Sequence, residues 1–157
     1  MRRYAEDTSV PVGRSRGQID DLLRDWGARG VQWTDDYHEG RVALRFVWKF
    51  EGSDYMARFD VMVPTAEDVA REYSRRPTDK QLSELAQQRN RQAHRVLLLW
   101  LKAALNAVTA GIITAEALFL PFLEGKNGRT VAEEALPKLS ELLAHNAGRL
   151  LPQHGSK

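Results

Sequence analysis

Apolar and polar residues alternate along positions 42–63 of the chain. The apolar positions are Val42, Leu44, Phe46, Trp48 and Phe50 in the first half, and Tyr55, Phe59, Val61 and Val63 in the second. A period of two predicts strands with one buried and one wet face, as in an antiparallel sheet. Gly52-Ser53 between the two runs predicts a short hairpin connection. A third strand is predicted just upstream by Val31, Trp33, Asp35 and Tyr37.

Helical spacing replaces this alternation elsewhere. Ser15 with Gln18 three residues later forms a capping box, which predicts a helix from Ser15 to about Gly27. Thr65 is expected to cap a short helix over 66–74, and Thr78 with Gln81 a long one to about Ala110. The apolar stripe of the long helix is Leu82, Leu85, Ala93, Val96, Leu97, Trp100, Leu101, Ala104, Leu105 and Val108.

Two further helices are expected near the C-terminal end. Thr114 is predicted to cap a short helix, and Thr130 with Glu133 the last one, which Pro137 should kink or divide. The element order predicts an α+β fold, in which a three-stranded antiparallel sheet packs against helices and a long central helix lies in the C-terminal half. The predicted organisation is an extended N-terminal arm over 1–13, a single domain over 14–152 and a loose tail over 153–157.

Residues 96–123 form a long apolar stretch that raises the question of a membrane helix. It is interrupted by Lys102, Asn106, Gly111, Glu116 and Pro121. A spanning helix needs about 20 nearly uninterrupted apolar residues, so two buried helices are predicted instead. The absence of an apolar leader segment and of cysteine indicates a protein of a reducing cytoplasm.

Positive charge is concentrated although the whole chain carries only +2. Residues 71–102 contain eight basic and three acidic residues, a net charge of +5. The basic members are Arg71, Arg75, Arg76, Lys80, Arg89, Arg91, Arg95 and Lys102. Local concentration matters more than total charge for binding to a polyanion.

Catalytic motifs are missing from the sequence. It has no phosphate-binding GxxxxGK[ST], no GxGxxG, no GxSxG and no HExxH, and its four histidines are scattered. The acidic cluster over 35–39 offers oxygen ligands for magnesium or calcium, but a solvated charged turn is the simpler interpretation. The sequence therefore predicts neither an enzyme nor a bound metal or cofactor.

Three segments resemble a known family: YAEDTSVPVGRSRGQIDDLLRDWGA, AVTAGIITAEALFLPFL, and GRTVAEEALP paired with a terminal LLP. Together they are similar to a family of small uncharacterised proteins encoded by bacteriophages and prophages. The resemblance covers nearly the whole chain. It implies an accessory protein acting in the cytoplasm of a bacterial host, in replication, recombination or evasion of host defence. It implies no site residue and no cofactor, because the family has no established activity.

The leading functional hypothesis is a non-enzymatic accessory protein that binds single- or double-stranded nucleic acid. Its proposed phosphate contacts are Arg75 and Arg76 just before the long helix, Arg91, Arg95 and Lys102 along that helix, Arg45, Lys49 and Arg58 on the wet face of the sheet, and Arg2 and Arg3 in the arm. That face carries no aromatic residue, so it can hold phosphates but not stack bases. Another helix, the arm or a second subunit of a homo-oligomer is expected to cover part of it.

The alternative hypothesis is an anti-defence protein. It would bind a host defence protein directly, or sequester an anionic nucleotide signal in a pocket between protomers. A third hypothesis is a structural assembly factor without a ligand. Basic residues suit the nucleic-acid and anti-defence hypotheses alike, so charge does not separate them.

Overall fold

The computed structural model describes residues 4–73 and 77–143 of the chain. This part contains five α-helices and three strands. They are α1 Val12–Trp26, β1 Gly30–Asp36, β2 Arg41–Phe50, β3 Ser53–Met62, α2 Ala66–Arg71, α3 Asp79–Thr109, α4 Ala115–Phe119 and α5 Val131–Leu143, with a 3-10 turn over Leu120–Phe122 after α4. The predicted α+β fold and its long helix in the C-terminal half are confirmed.

The three strands form one antiparallel sheet in the order β1-β2-β3. Leu44 in the central strand pairs with Phe59 of β3, so the alternating apolar residues share one face. Phe50 pairs with Ser53, which makes Glu51-Gly52 the hairpin loop, one residue earlier than predicted. Both loop residues have positive φ, 47° and 83°, as a two-residue turn that follows the strand twist requires.

The start of α1 differs from the prediction. The helix begins at Val12 directly after Pro11, and no side chain caps it, so the capping box predicted at Ser15 was wrong. Proline is well suited to a helix start because it needs no partner for a backbone N–H. Ser15 lies inside the helix and is fully buried. The last two residues of the predicted arm, Val12 and Gly13, therefore belong to α1. Tyr4–Asp7 form a turn before the helix.

The remaining helix starts are confirmed. Thr65 caps α2 with Asp68, Thr78 caps α3 with Gln81, and Thr114 caps α4. Thr130 and Glu133 exchange the hydrogen bonds of a capping box at α5. Pro137 lies within α5 without dividing it.

The hydrophobic core lies between the apolar face of the sheet and two helices, α1 and α3, that pack against each other. Its members include Ile19, Leu23, Leu44, Phe46, Trp48, Phe59, Leu97, Leu101, Leu105 and Phe119. This arrangement places α3 on the opposite side of the sheet from the face that carries Arg45 and Arg58. No described helix combines the length and the apolar character needed to cross a membrane.

Candidate functional site

Two arginines of the wet face of the sheet hold a single carboxylate between them. Arg45 and Arg58 are opposite each other in the register of β2 and β3. Arg45 Nε donates to Glu124 Oε2 at 2.8 Å, and Arg58 Nη1 donates to Glu124 Oε1 at 3.3 Å. Arg58 is only 7% exposed and also bonds Asp60 through Nε at 3.0 Å and Glu133 through Nη2. The two positive charges, which would otherwise repel each other, are thus neutralised within the chain.

The electrostatics of this cluster follow from the contacts. The hydrogen bond from Arg45 holds the pKa of Glu124 below its usual value, and Arg58 acts in the same direction. Burial alone would lower the pKa of Arg58, but the charges of Asp60, Glu133 and Glu124 together raise it. Glu124 and Arg58 are therefore charged at neutral pH. The carboxylate of Glu124 occupies the position where the phosphate hypothesis places a ligand.

Part of this face is covered by the segment between α4 and α5, a cover that the sequence did not predict. Leu123 forms an antiparallel bridge to Ala57 at the edge of β3, and Glu124 bridges to Thr130. The loop between them brings the carbonyl of Gly128 onto Arg58. Lys49, the third predicted residue of this face, is exposed. The structure thus brings Arg45 and Arg58 together, but both already donate hydrogen bonds to carboxylates of the chain.

The predicted basic row of α3 lies against the N-terminal residues and α1. Arg91 Nε donates to the carbonyl oxygen of Thr8 at 3.3 Å, and Arg95 Nη1 donates to Gln18 Oε1 at 2.7 Å. Gln88 donates to the same carbonyl of Thr8, and Gln92 to the carbonyl of Tyr4. These contacts tether the N-terminal segment to α3, so the arginines of the row have a structural role in addition to their charge.

The other predicted phosphate contacts are distributed as follows. Lys102 is exposed and lines a cleft between α1 and α3, together with Asp21 and Asp25. Arg2, Arg3, Arg75 and Arg76 lie outside the described residues. The row of Arg91 and Arg95 is separated from Arg45 and Arg58 by the sheet, so these two pairs do not form one continuous site.

A buried histidine cluster links α1, β1 and α3 and was missed at the sequence level. His94 is fully buried; its Nε2 accepts a hydrogen bond from Arg16 Nε at 3.1 Å, while Nδ1 lies 2.9 Å from the carbonyl oxygen of Asn90. Arg16 also binds Asp35 and lies 4.8 Å from the centroid of the Trp33 ring. The pattern requires a neutral imidazole with its proton on Nδ1. Burial lowers the pKa of His94, and the charge of Arg16 adds to the effect.

This cluster predicts a loss of stability in mild acid. Below about pH 6.5 the imidazole of His94 takes up a proton in the unfolded chain but stays neutral in the folded protein. The free energy of unfolding should therefore decrease as the pH is lowered, by at most about 1.4 kcal/mol per pH unit. The charged groups facing the ring are Arg16 and Asp35. His94→Gln should flatten the dependence between pH 6.5 and 5.5, as measured by urea unfolding. His38→Gln, at an exposed position, should leave it as in the unmodified protein. An equal slope in all three proteins would contradict this assignment.

The acidic turn over 35–39 uses its carboxylates locally. Asp35 binds Arg16, and Asp36 accepts the backbone N–H groups of His38 and Glu39 at 3.1 and 3.0 Å. The hydrogen bond from Arg16 lowers the pKa of Asp35. Within residues 4–73 and 77–143, no group of three or more histidine, aspartate or glutamate residues is arranged to hold a metal ion.

An apolar groove of about 560 Å³ lies between the C-terminal half of β3 and helix α3. Its walls include Phe59, Val61 and Met62 from the strand, and Val96 and Trp100 from the helix. Val96, Trp100 and Met62 are 43%, 37% and 67% exposed. Asp60 and Arg89 also line the groove, and each has a partner in the chain, Arg58 and Glu72. The groove is therefore accessible and largely uncharged.

The groove exists because the apolar stripe of α3 extends beyond β3, the edge strand of the sheet. Val96 and Trp100 belong to the stripe that predicted a buried face, while their neighbours Leu97 and Leu101 are covered. The sheet ends at β3, and Val96 and Trp100 on the outer side of the stripe remain partly exposed. Sequence periodicity identified these residues as apolar-face residues but could not show that the sheet stops short of them.

Comparisons with known proteins add no relative. No protein-family model, curated protein or solved structure matches this chain. The resemblance to bacteriophage proteins therefore stays a prediction, and the functional argument depends on the geometry alone.

Proposed function

We propose that this protein is a non-enzymatic binding protein that holds a segment of another protein in the groove between β3 and α3. The observation that carries the proposal is the exposure of Val96, Trp100 and Met62 around one apolar concavity. Its volume of about 560 Å³ lies within the range of ligand sites. Trp100 lines the groove, and tryptophan is among the residue types that most often dominate the binding energy of protein interfaces.

The setting of the proposal is the one that the family resemblance implies. In a bacterial host, the partner would be a host protein, and direct binding to a component of a defence complex is the form we favour. The paired arginines support a protein partner over a nucleotide signal, because Glu124 already occupies the position between Arg45 and Arg58. A free anion would have to displace a carboxylate that the fold holds in place.

Nucleic-acid binding is the second candidate, and the observation that favours it is the net charge of +5 over residues 71–102. Exposed Lys102 lies at the end of that segment. Binding of this kind would weaken steeply with salt and depend little on the groove.

Selection from a random twelve-residue peptide display library tests the leading proposal and does not require the partner to be identified first. We expect the unmodified protein to enrich peptides that fail to bind Val96→Asp and still bind Leu99→Asp. The two positions form a matched pair, since both are on α3 and are 43% and 45% exposed, but Leu99 lines the cleft on the other side of the helix. Peptides that bind both variants equally, or no enrichment, would contradict the proposal.

A further inference from the structure

The outer edge of β3 has backbone groups directly beside the groove that pair with no residue of the described part of the chain. Glu124 N donates to the carbonyl of Met56 on the outer side of β3 at 2.9 Å, whereas Val63 N donates to Gly40 on the inner side. Because successive residues of a strand point their backbone groups to opposite edges, the N–H and C=O groups of Asp60 and Met62 also point outward. Among the described residues, only Leu123 bridges to this edge, at Ala57.

The open part of this edge is short and has defined ends. One end is closed by Phe122, whose ring lies 4.3 Å from that of Phe59, and by the Leu123 bridge. The other end is closed by Pro64, which lines the groove and has no N–H to offer. At about 3.3 Å per residue, the interval accommodates a strand of roughly three to five residues.

We infer that the groove binds its partner as an added β-strand, an extended segment that pairs with the backbone of Asp60 and Met62. Alternate side chains of the segment would be apolar and pack on Val96 and Trp100. The inference rests on the proposed function and specifies the chemistry of the partner. The edge is suited to such pairing, since it already accepts Leu123 and Glu124 in the same manner nearer the start of the strand.

An added strand can pair with the backbone groups at the edge of the groove, whereas a bound helix cannot. A helix has a diameter of about 10 Å and forms its backbone hydrogen bonds internally, so it would cover Asp60 and Met62 without pairing their backbone groups. Buried backbone groups without partners are strongly disfavoured. The charges of the groove point the same way, because Asp60 and Arg89 are each paired within the chain and need no charged side chain from the ligand.

Synthetic octapeptides with lysine at both ends, three valines and three threonines test the inference. One has the valines at every second position, and one has the same composition with the valines at helical spacing. Two more carry the alternating sequence with backbone N-methyl groups, either on the valines or on the threonines. Only one edge of an added strand faces β3, so one methylated peptide should lose at least about tenfold in affinity and the other should bind as the parent does.

Binding is followed by NMR titration and by hydrogen exchange of the full chain. The alternating peptide should slow exchange of the Asp60 and Met62 amides and should bind Leu99→Asp but not Val96→Asp. No binding of the alternating peptide, equal effects of the two methylation patterns, or preference for the helical spacing would each overturn strand addition. These results leave the proposed function standing if display selection still yields peptides sensitive to Val96→Asp. If selection yields none, the proposed function itself fails.

Discussion

Replacing Arg58 with alanine is expected to lower the free energy of unfolding by about 3–5 kcal/mol, the usual cost of removing one partner from a buried ion cluster. Arg58 is buried and hydrogen-bonded to Asp60, Glu124, Glu133 and the carbonyl of Gly128. In the variant, the carboxylate of Glu124 would keep its ion pair with Arg45 and lose the one with Arg58. Because the side chain of Glu124 is only 6% exposed, water cannot replace the lost partner. Urea unfolding at pH 7 measures the effect.

The matched control is Arg24→Ala. Arg24 also forms an ion pair, with Asp21 at 3.0 Å, but both side chains are about two-thirds exposed. Such pairs contribute at most about 1 kcal/mol, so the control should change stability little. A loss of less than 1 kcal/mol for Arg58→Ala would show that the cluster does not hold the segment between Leu123 and Thr130 onto the sheet.

The same cluster makes stability depend on acid. The pKa values of Glu124 and Glu133 are lowered, the first by the hydrogen bond from Arg45 and the second by the backbone N–H of Thr130. Carboxylates of this kind stabilise the fold above their unfolded pKa, near 4.3, and the contribution is lost as pH falls through the folded value. The loss at His94 begins near pH 6.5, whereas these carboxylates stay ionised in both states down to about pH 5.5, so the interval between pH 6.5 and 5.5 isolates the contribution of His94.

Phe119→Ala is the second large effect, with an expected loss of about 3–5 kcal/mol. Phe119 is fully buried, and its ring meets Phe46, Trp48 and Trp26 edge-on or nearly so, at centroid distances of 5.3, 5.6 and 5.9 Å. Removing it leaves a cavity among rings from α1 and β2 that cannot collapse together. Thermal and urea unfolding of the variant measure the loss.

Leu120→Ala provides the control from the next position in the chain. Leu120 is 51% exposed, so its truncation should cost well under half as much. Equal losses at the two positions would contradict the placement of Phe119 at the centre of the core. Because Phe119 also precedes the 3-10 turn that carries Phe122, its loss is expected to disturb the closed end of the groove.

The elements of the fold were predictable because they depend on local signals. Alternation over 42–63 predicted β2 and β3, and threonine caps marked α2, α3, α4 and α5, with a polar residue three positions later at α3 and α5. The start of α1 was predicted wrongly because Ser15 with Gln18 mimics a capping box, although Ser15 is buried inside the helix. Whether a serine caps or packs depends on tertiary burial, which local sequence does not contain.

The candidate site depended on contacts between distant residues and was less predictable. Arg58 meets Glu124 and Glu133 across separations of 66 and 75 positions, and Arg16 meets His94 across 78. A count of charges along the sequence cannot show which cations are already paired. The groove is a similar case, because Val96 and Trp100 follow the apolar period of α3 but lie beyond the edge of the sheet.

The most direct test of the central claim compares two surfaces in one titration. A display-selected peptide and a labelled thirty-base single strand are each titrated with the unmodified protein, Val96→Asp and the double variant Arg91→Ala/Arg95→Ala, at low and moderate salt. We predict that Val96→Asp weakens peptide binding at least about tenfold, that the double variant changes it less than about threefold, and that salt has little effect. Unchanged peptide binding by Val96→Asp, together with strand binding that falls steeply with salt and is lost in the double variant, would contradict the claim and favour nucleic acid as the partner.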